Sequence, residues 1–151
     1  MTPRLDNPFK IAPDVMKAMM NLEMTIRSSG LDHRLLHLVK LRASQINGCA
    51  FCIHMHATEA RKDGETEMRL YMLNAWRESS LYSDRERAAL AWTEALTLVA
   101  QTGAPDADFD LVKARFTPAD QVALTMAIGA INTWNRLQVG FRAAHPADAA
   151  A

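Results

Sequence analysis

The sequence predicts an all-α chain, a compact bundle of six or seven helices, and three observations carry that expectation. The first is composition. Twenty-five alanines and 9 methionines stand beside only 6 glycines and 6 prolines, and Ala and Met favour helix where Gly and Pro break it. The second is periodicity: apolar residues recur at helical spacing, and no alternating strand pattern lasts beyond a few positions. The third is punctuation, with Gly30, Asn47-Gly48 and Asp63-Gly64 falling between the periodic stretches. A length of 151 residues with a 49% hydrophobic fraction suits a single domain over 1–151 with one core. The Ala-rich tail, from about 145 to 151, is expected to fray.

The elements follow in order. Pro13 suits the first turn of a helix through Val15, Met19, Leu22 and Ile26, which Gly30 ends. A second helix runs from about Arg34 to Gln45 on Leu35, Leu38, Val39 and Leu41, and Asn47-Gly48 stops it. The next runs from Cys49 to about Lys62, and a shorter one covers Thr66 to Trp76. Ser83-Asp84-Arg85-Glu86 has the form of a capping box, followed by Ala88, Ala91, Trp92, Ala95, Leu98 and Val99 at helical spacing. Thr117-Pro118-Ala119-Asp120 opens a last helix to about Gly140, whose Ala123, Ala127, Gly129 and Ala130 permit close approach of a neighbour.

Charge narrows the function classes. Lys plus Arg and Asp plus Glu each total 17, for zero formal net charge, so nothing drives binding to nucleic acid or anionic lipid. No apolar stretch approaches the roughly 20 residues of a membrane span. Met1 to Asp6 lacks the apolar run of a secretory signal. The expectation is a soluble, cytoplasmic protein with no nucleic-acid or membrane partner.

The chemistry concentrates in Asn47-Gly48-Cys49-Ala50-Phe51-Cys52-Ile53-His54-Met55-His56. On a helix, about 100° per residue brings Cys49, Cys52 and His56 onto one face and sends His54 to the far side. The spacing allows a disulfide across one turn, and a helix N-terminus stabilises a thiolate. His56, one turn beyond Cys52, is placed to exchange a proton with it. A redox-active dithiol is therefore physically reasonable. A c-type haem needs His directly after the second Cys, where Ile53 stands. Zinc on Cys49, Cys52 and one or both of His54 and His56 is a second reading, but the two imidazoles diverge and no second Cys pair or distant His pair completes a closed site. Two buried structural cysteines are a third.

The run Leu38-Val39-Lys40-Leu41-Arg42-Ala43-Ser44-Gln45-Ile46-Asn47-Gly48-Cys49-Ala50-Phe51-Cys52, closed by Met55-His56, resembles the core of AhpD-like alkylhydroperoxidases of the carboxymuconolactone decarboxylase superfamily. The resemblance extends through Arg85 to Leu96 and through Ile131-Asn132-Thr133-Trp134-Asn135-Arg136. It implies an all-helical AhpD-like fold, a homo-oligomer (a trimer or hexamer), and thiol-dependent reduction of hydroperoxides. It also implies roles: Cys52 attacks the peroxide, Cys49 resolves, and His56 relays the proton. A dithiol or lipoyl-type donor recharges the pair, and no metal, flavin or haem is required. This sequence departs from the family pattern at two positions, with His37 where a Glu usually begins the relay and Phe51 where the best-studied branch has a His between the cysteines.

Glu94 lies beside an apolar stripe, one turn from Leu90 and Leu98. It is expected either to pair with a base or to supply the missing carboxylate, with His37 as a proton-passing neighbour. Trp76, Trp92 and Trp134 read as core, and Met16, Met19, Met20 and Met24 as core or interface. Asn132, Asn135 and Arg136 read as interhelical or intersubunit hydrogen-bonding groups. The leading function is a thiol peroxidase with site residues Cys49, Cys52, His56, His37 and Glu94. The alternatives are a non-catalytic redox-sensing oligomer and, more weakly, a lactone decarboxylase, since that branch lacks the cysteine pair.

Overall fold

The computed structural model describes residues 2–145, so most of the tail expected to fray lies outside the described residues. Among these, nine α-helices form and no strand. They are α1 (Pro8–Ile11), α2 (Pro13–Arg27), α3 (His33–Ile46), α4 (Ala50–Lys62), α5 (Glu67–Tyr71), α6 (Asp84–Thr97), α7 (Val99–Thr102), α8 (Asp106–Arg115) and α9 (Pro118–Phe141). Six of them are seven residues or longer, so the expected number holds for the long helices and falls short of the total. No helix among the described residues is long and apolar enough to cross a membrane.

Helix α3 is the axis of the fold, packing on α4, α6 and α9. Its Leu35 and Val39 meet Ala89, Leu124 and Ile128 in the largest apolar cluster, which Val112 of α8 joins. On another side, Leu38 and Leu41 meet Leu73, Trp76 and Leu90. Each fully buried Leu or Ile of this kind contributes about 1.5–3 kcal/mol by leaving water. A third, small cluster of Ala43, Cys49, Cys52 and Ile131 underlies the thiols.

Caps fix the helix starts that position these clusters. The capping box is complete: Ser83 Oγ accepts from the Glu86 N–H, and the Glu86 carboxylate accepts from the Ser83 N–H at 2.7 Å. Thr117 Oγ1 caps α9 by accepting from the Asp120 N–H at 3.2 Å, with Pro118 at the helix's first turn.

Three differences from the sequence reading have physical causes. The segment 66–76 divides into α5 and a 3₁₀ turn at Leu73–Ala75. Helix α8 escapes periodicity because it buries only Val112 and has no side-chain N-cap, while Phe109 and Leu111 stay exposed. Trp134, read as core, is only half-buried, whereas Trp76 and Trp92 are core as expected.

Candidate active site around Cys49 and Cys52

The turn from α3 to α4 is built to hold one residue still. Asn47 ends α3, and Gly48 then takes φ +66, a left-handed value that suits glycine. The Gly48 N–H bonds to Gln45 O at 3.3 Å and the Cys49 N–H to Ser44 O at 3.0 Å, the paired bonds of a Schellman ending. Cys49 thus closes α3, and it also opens α4: it is the N-cap, its sulfur accepting the Cys52 N–H at 3.3 Å. Helix α9 clamps the turn. Asn47 Nδ2 donates to Asn132 Oδ1 at 3.0 Å and Asn135 Oδ1 at 2.8 Å, and Asn135 Nδ2 donates to Ser44 Oγ at 3.0 Å. The two asparagines therefore serve as interhelical hydrogen-bonding groups.

Cys49 and Cys52 form a disulfide, their Cα atoms 5.4 Å apart and each residue 1% exposed. The sulfurs differ in access. Cys52 lines a cavity of about 410 Å³, together with His56, and Cys49 does not. Phe51, Met55 and Trp134 form part of its apolar wall, and Met20 and Met24 of α2 reach it from across. The Trp134 ring stacks near Phe9 at 6.4 Å between centroids, and its Nε1 donates to Glu23 Oε1 at 3.0 Å. The other Glu23 oxygen pairs with Lys40, also at the cavity. His54 points away and is exposed, its ring edge-on to His145.

His56 is buried, and its Nδ1 lies 3.3 Å from Glu59 Oε2, one turn further along α4. His37, on α3, stands beside the same carboxylate, its Nδ1 3.8 Å from Glu59 Oε2. Its Nε2 is hydrogen-bonded to Asp63 Oδ2 at 2.8 Å. The two rings are 6.3 Å apart. A series of polar groups therefore runs Asp63, His37, Glu59, His56, and the last borders the same cavity as Cys52. Burial holds His56 below its usual range; the bond to Glu59 opposes this and nearby Lys40 reinforces it. Glu59 is held low chiefly by its bond to His56.

Glu94 is not part of this line, which corrects the expectation that it supplies the missing carboxylate. It does not border the cavity. Its Oε1 accepts from Arg42 Nε and Trp76 Nε1, both at 2.8 Å, and its Oε2 from Arg77 at 2.9 Å. Burial would raise its pKa, but these hydrogen bonds outweigh burial and lower it. The reason is angular: Arg42 follows His37 by five positions, about 140° around α3. Glu94, following Arg42, sits on a different side of that helix. Glu59 and Asp63 were not singled out from sequence. For Glu59 a signal exists in its (i, i+3) spacing from His56.

Comparisons with known proteins agree with this architecture. The profile described as "CMD: Carboxymuconolactone decarboxylase family" matches residues 13–95. YdfG of Bacillus subtilis (strain 168), itself uncharacterised, is 44% identical over 138 residues, covering 90% of this chain and 94% of that protein. A crystal structure from Agrobacterium tumefaciens, a protein of unknown function assigned provisionally to AhpD antioxidant defence, superposes with a TM-score of 0.92 at 52% identity, covering 96% of this chain and 99% of that one. The debrominase Bmp8 shares the fold alone, with a TM-score of 0.79 at 18% identity over 92% of this chain and 75% of its own. With a helical fold of AhpD type, a profile match over more than half its length and a relative of 44% identity, the chain belongs to the carboxymuconolactone decarboxylase family.

Proposed function

We propose that the protein is a thiol-dependent peroxidase that reduces organic hydroperoxides through the Cys49–Cys52 dithiol. The carrying observation is the unequal access of the two sulfurs: Cys52 faces the cavity beside His56, and Cys49 sits behind it as the helix cap. Neutral His56 takes the Cys52 proton. The thiolate attacks one peroxide oxygen, the O–O bond breaks, and the alcohol leaves with a proton. The Cys52 sulfenic acid then condenses with the Cys49 thiol, forming the disulfide and releasing water. An external dithiol, of which a lipoyl group is one form, returns two electrons and two protons. Fold alone does not select this chemistry, since a debrominase shares it; the cavity-facing thiol beside a histidine is what supports the reading.

Stoichiometry tests the half-reaction. Reduced protein given excess tert-butyl hydroperoxide is expected to consume one equivalent per chain and become lighter by two hydrogens, with the bond mapping to Cys49–Cys52. Thiols that resist the peroxide would refute the assignment.

The pH dependence has a definite sign. Protonation removes the base, and burial keeps His56 neutral below its usual range. The rise in Cys52 alkylation rate attributable to His56 is therefore expected to lie below about pH 6.5, the ordinary histidine value. A rate that rises only near pH 8.5, as for a free thiol, would contradict it. Stability follows the same sense. The unfolded chain protonates this histidine first, so stability is lost as pH falls from about 6.5 toward the folded value.

Self-association forms part of the proposal, as a trimer or hexamer. Ile11, Val15 and Met24 on α1 and α2, and Val122 and Met126 on α9, are exposed, more apolar surface than one chain covers. Light scattering at micromolar concentration is expected to give a multiple of 16.8 kDa; a monomeric mass would refute association.

A further inference from the structure

We propose that His37, His56 and Glu59 form a site for a divalent transition metal of the zinc type on the cavity wall, and that an ion held there takes the base of Cys52 out of use. Each residue offers one ligand atom, and the three atoms lie within 4.8 Å of one another. His56 Nδ1 and Glu59 Oε2 are 3.3 Å apart, and His37 Nδ1 and the same oxygen 3.8 Å. With zinc bonds of about 2.0–2.1 Å, tetrahedral donors stand roughly 3.4 Å apart, so both histidine–carboxylate pairs are near that spacing, and the set of three, within 4.8 Å, closes onto an ion by drawing the two imidazoles together. Two imidazoles and one carboxylate are a known zinc donor set that leaves a fourth position open, and all three residues face the cavity.

A second observation points the same way. Metal-bound histidines usually present their other ring nitrogen to a carboxylate, and Asp63 occupies that place, 2.8 Å from His37 Nε2. A carboxylate only accepts, so Nε2 is the donor to Asp63, and Nδ1 is the ring nitrogen turned toward Glu59. The donors come from two packed helices, α3 and α4, so the site spans a rigid hairpin. Of the cationic side chains at the cavity, Arg27 and Lys40, the one that acts on His56 is Lys40, and it is already paired with Glu23. The thiols are not ligands, which separates this site from a zinc centre on Cys49 and Cys52 and lets it persist when the disulfide is closed.

Zinc ion titrated into the oxidised protein tests the binding, which does not depend on the peroxidase reading. One equivalent per chain is expected, and the same in a Cys49→Ser/Cys52→Ser protein. Glu59→Gln and His37→Ala should each weaken binding tenfold or more, and Asp63→Asn about tenfold or more. Glu59 is substantially exposed, so its variant keeps the fold and guards against misfolding in the histidine variant. Absence of stoichiometric binding, loss of binding with the cysteines, or binding indifferent to Glu59→Gln would overturn the site. The coupling rests on His56 as the base. Zinc is expected to slow iodoacetamide capture of Cys52 in Cys49→Ser protein, and to slow it far less once Glu59→Gln is added. Equal slowing in both would overturn the coupling while leaving the binding result to stand or fall separately.

Discussion

Cys52→Ser is expected to bring hydroperoxide reduction down to the uncatalysed rate, and Cys49→Ser to stop the reaction after one oxidation. The difference follows from where the helix start places each sulfur. Cys52 is on the cavity wall, where a substrate oxygen can reach it. Cys49 is the N-cap of α4, accepting the Cys52 N–H; it is within disulfide reach of its partner, with no face on the cavity. In Cys49→Ser protein the Cys52 sulfenic acid has no resolving thiol, so it should persist and be trapped by dimedone, one label per chain. Dimedone labelling of Cys49 in the Cys52→Ser protein, with a rate near wild type, would reverse the roles.

His56→Ala is expected to slow the reaction of Cys52 with peroxide by about 10²–10⁴-fold, the usual worth of a positioned general base. Glu59→Gln removes the carboxylate that orients the imidazole, and about a tenfold slowing at neutral pH is expected from the loss of that support. Glu94→Gln is the contrasting variant. Its carboxylate binds Arg42, Trp76 and Arg77 away from the cavity, so the thiol rate should stay unchanged. The fold, however, should lose about 1–3 kcal/mol in denaturant, since charged hydrogen bonds are broken, partly offset by solvent at the more exposed Arg77. A slow thiol in Glu94→Gln with a normal one in Glu59→Gln would contradict the placement of both carboxylates.

Much of this was legible in the sequence because it is local. Capping at Ser83 and Thr117, the break at Asn47-Gly48 and the one-turn spacings from Cys49 to Cys52 and from Cys52 to His56 depend on residues within a few positions of each other. Glu59 meets His56 by its (i, i+3) spacing within α4, a local signal that was passed over. Glu94 was misplaced for the opposite reason: that it turns away depends on which side of α3 the helix α6 packs against, and periodicity along α6 carries no such information. Asp63 was hidden for a related reason: it was read only as a helix stop with Gly64, yet from the C-cap of α4 it reaches back to His37 across 26 residues. Met20 and Met24 show the same limit, since their spacing marks a face of α2 without saying that a cavity lies beneath it.

Repeated turnover is the most direct measurement of the central claim. Reduced protein, an organic hydroperoxide and an excess of a dithiol such as dihydrolipoamide are mixed, and alcohol formed per chain is followed. A catalyst continues linearly through many equivalents until the dithiol is spent, and Cys52→Ser shows only the background reaction. A trace that stops at one equivalent per chain, with the Cys49–Cys52 disulfide closed and unreduced by the dithiol, would contradict catalysis and mark the protein as a redox sensor.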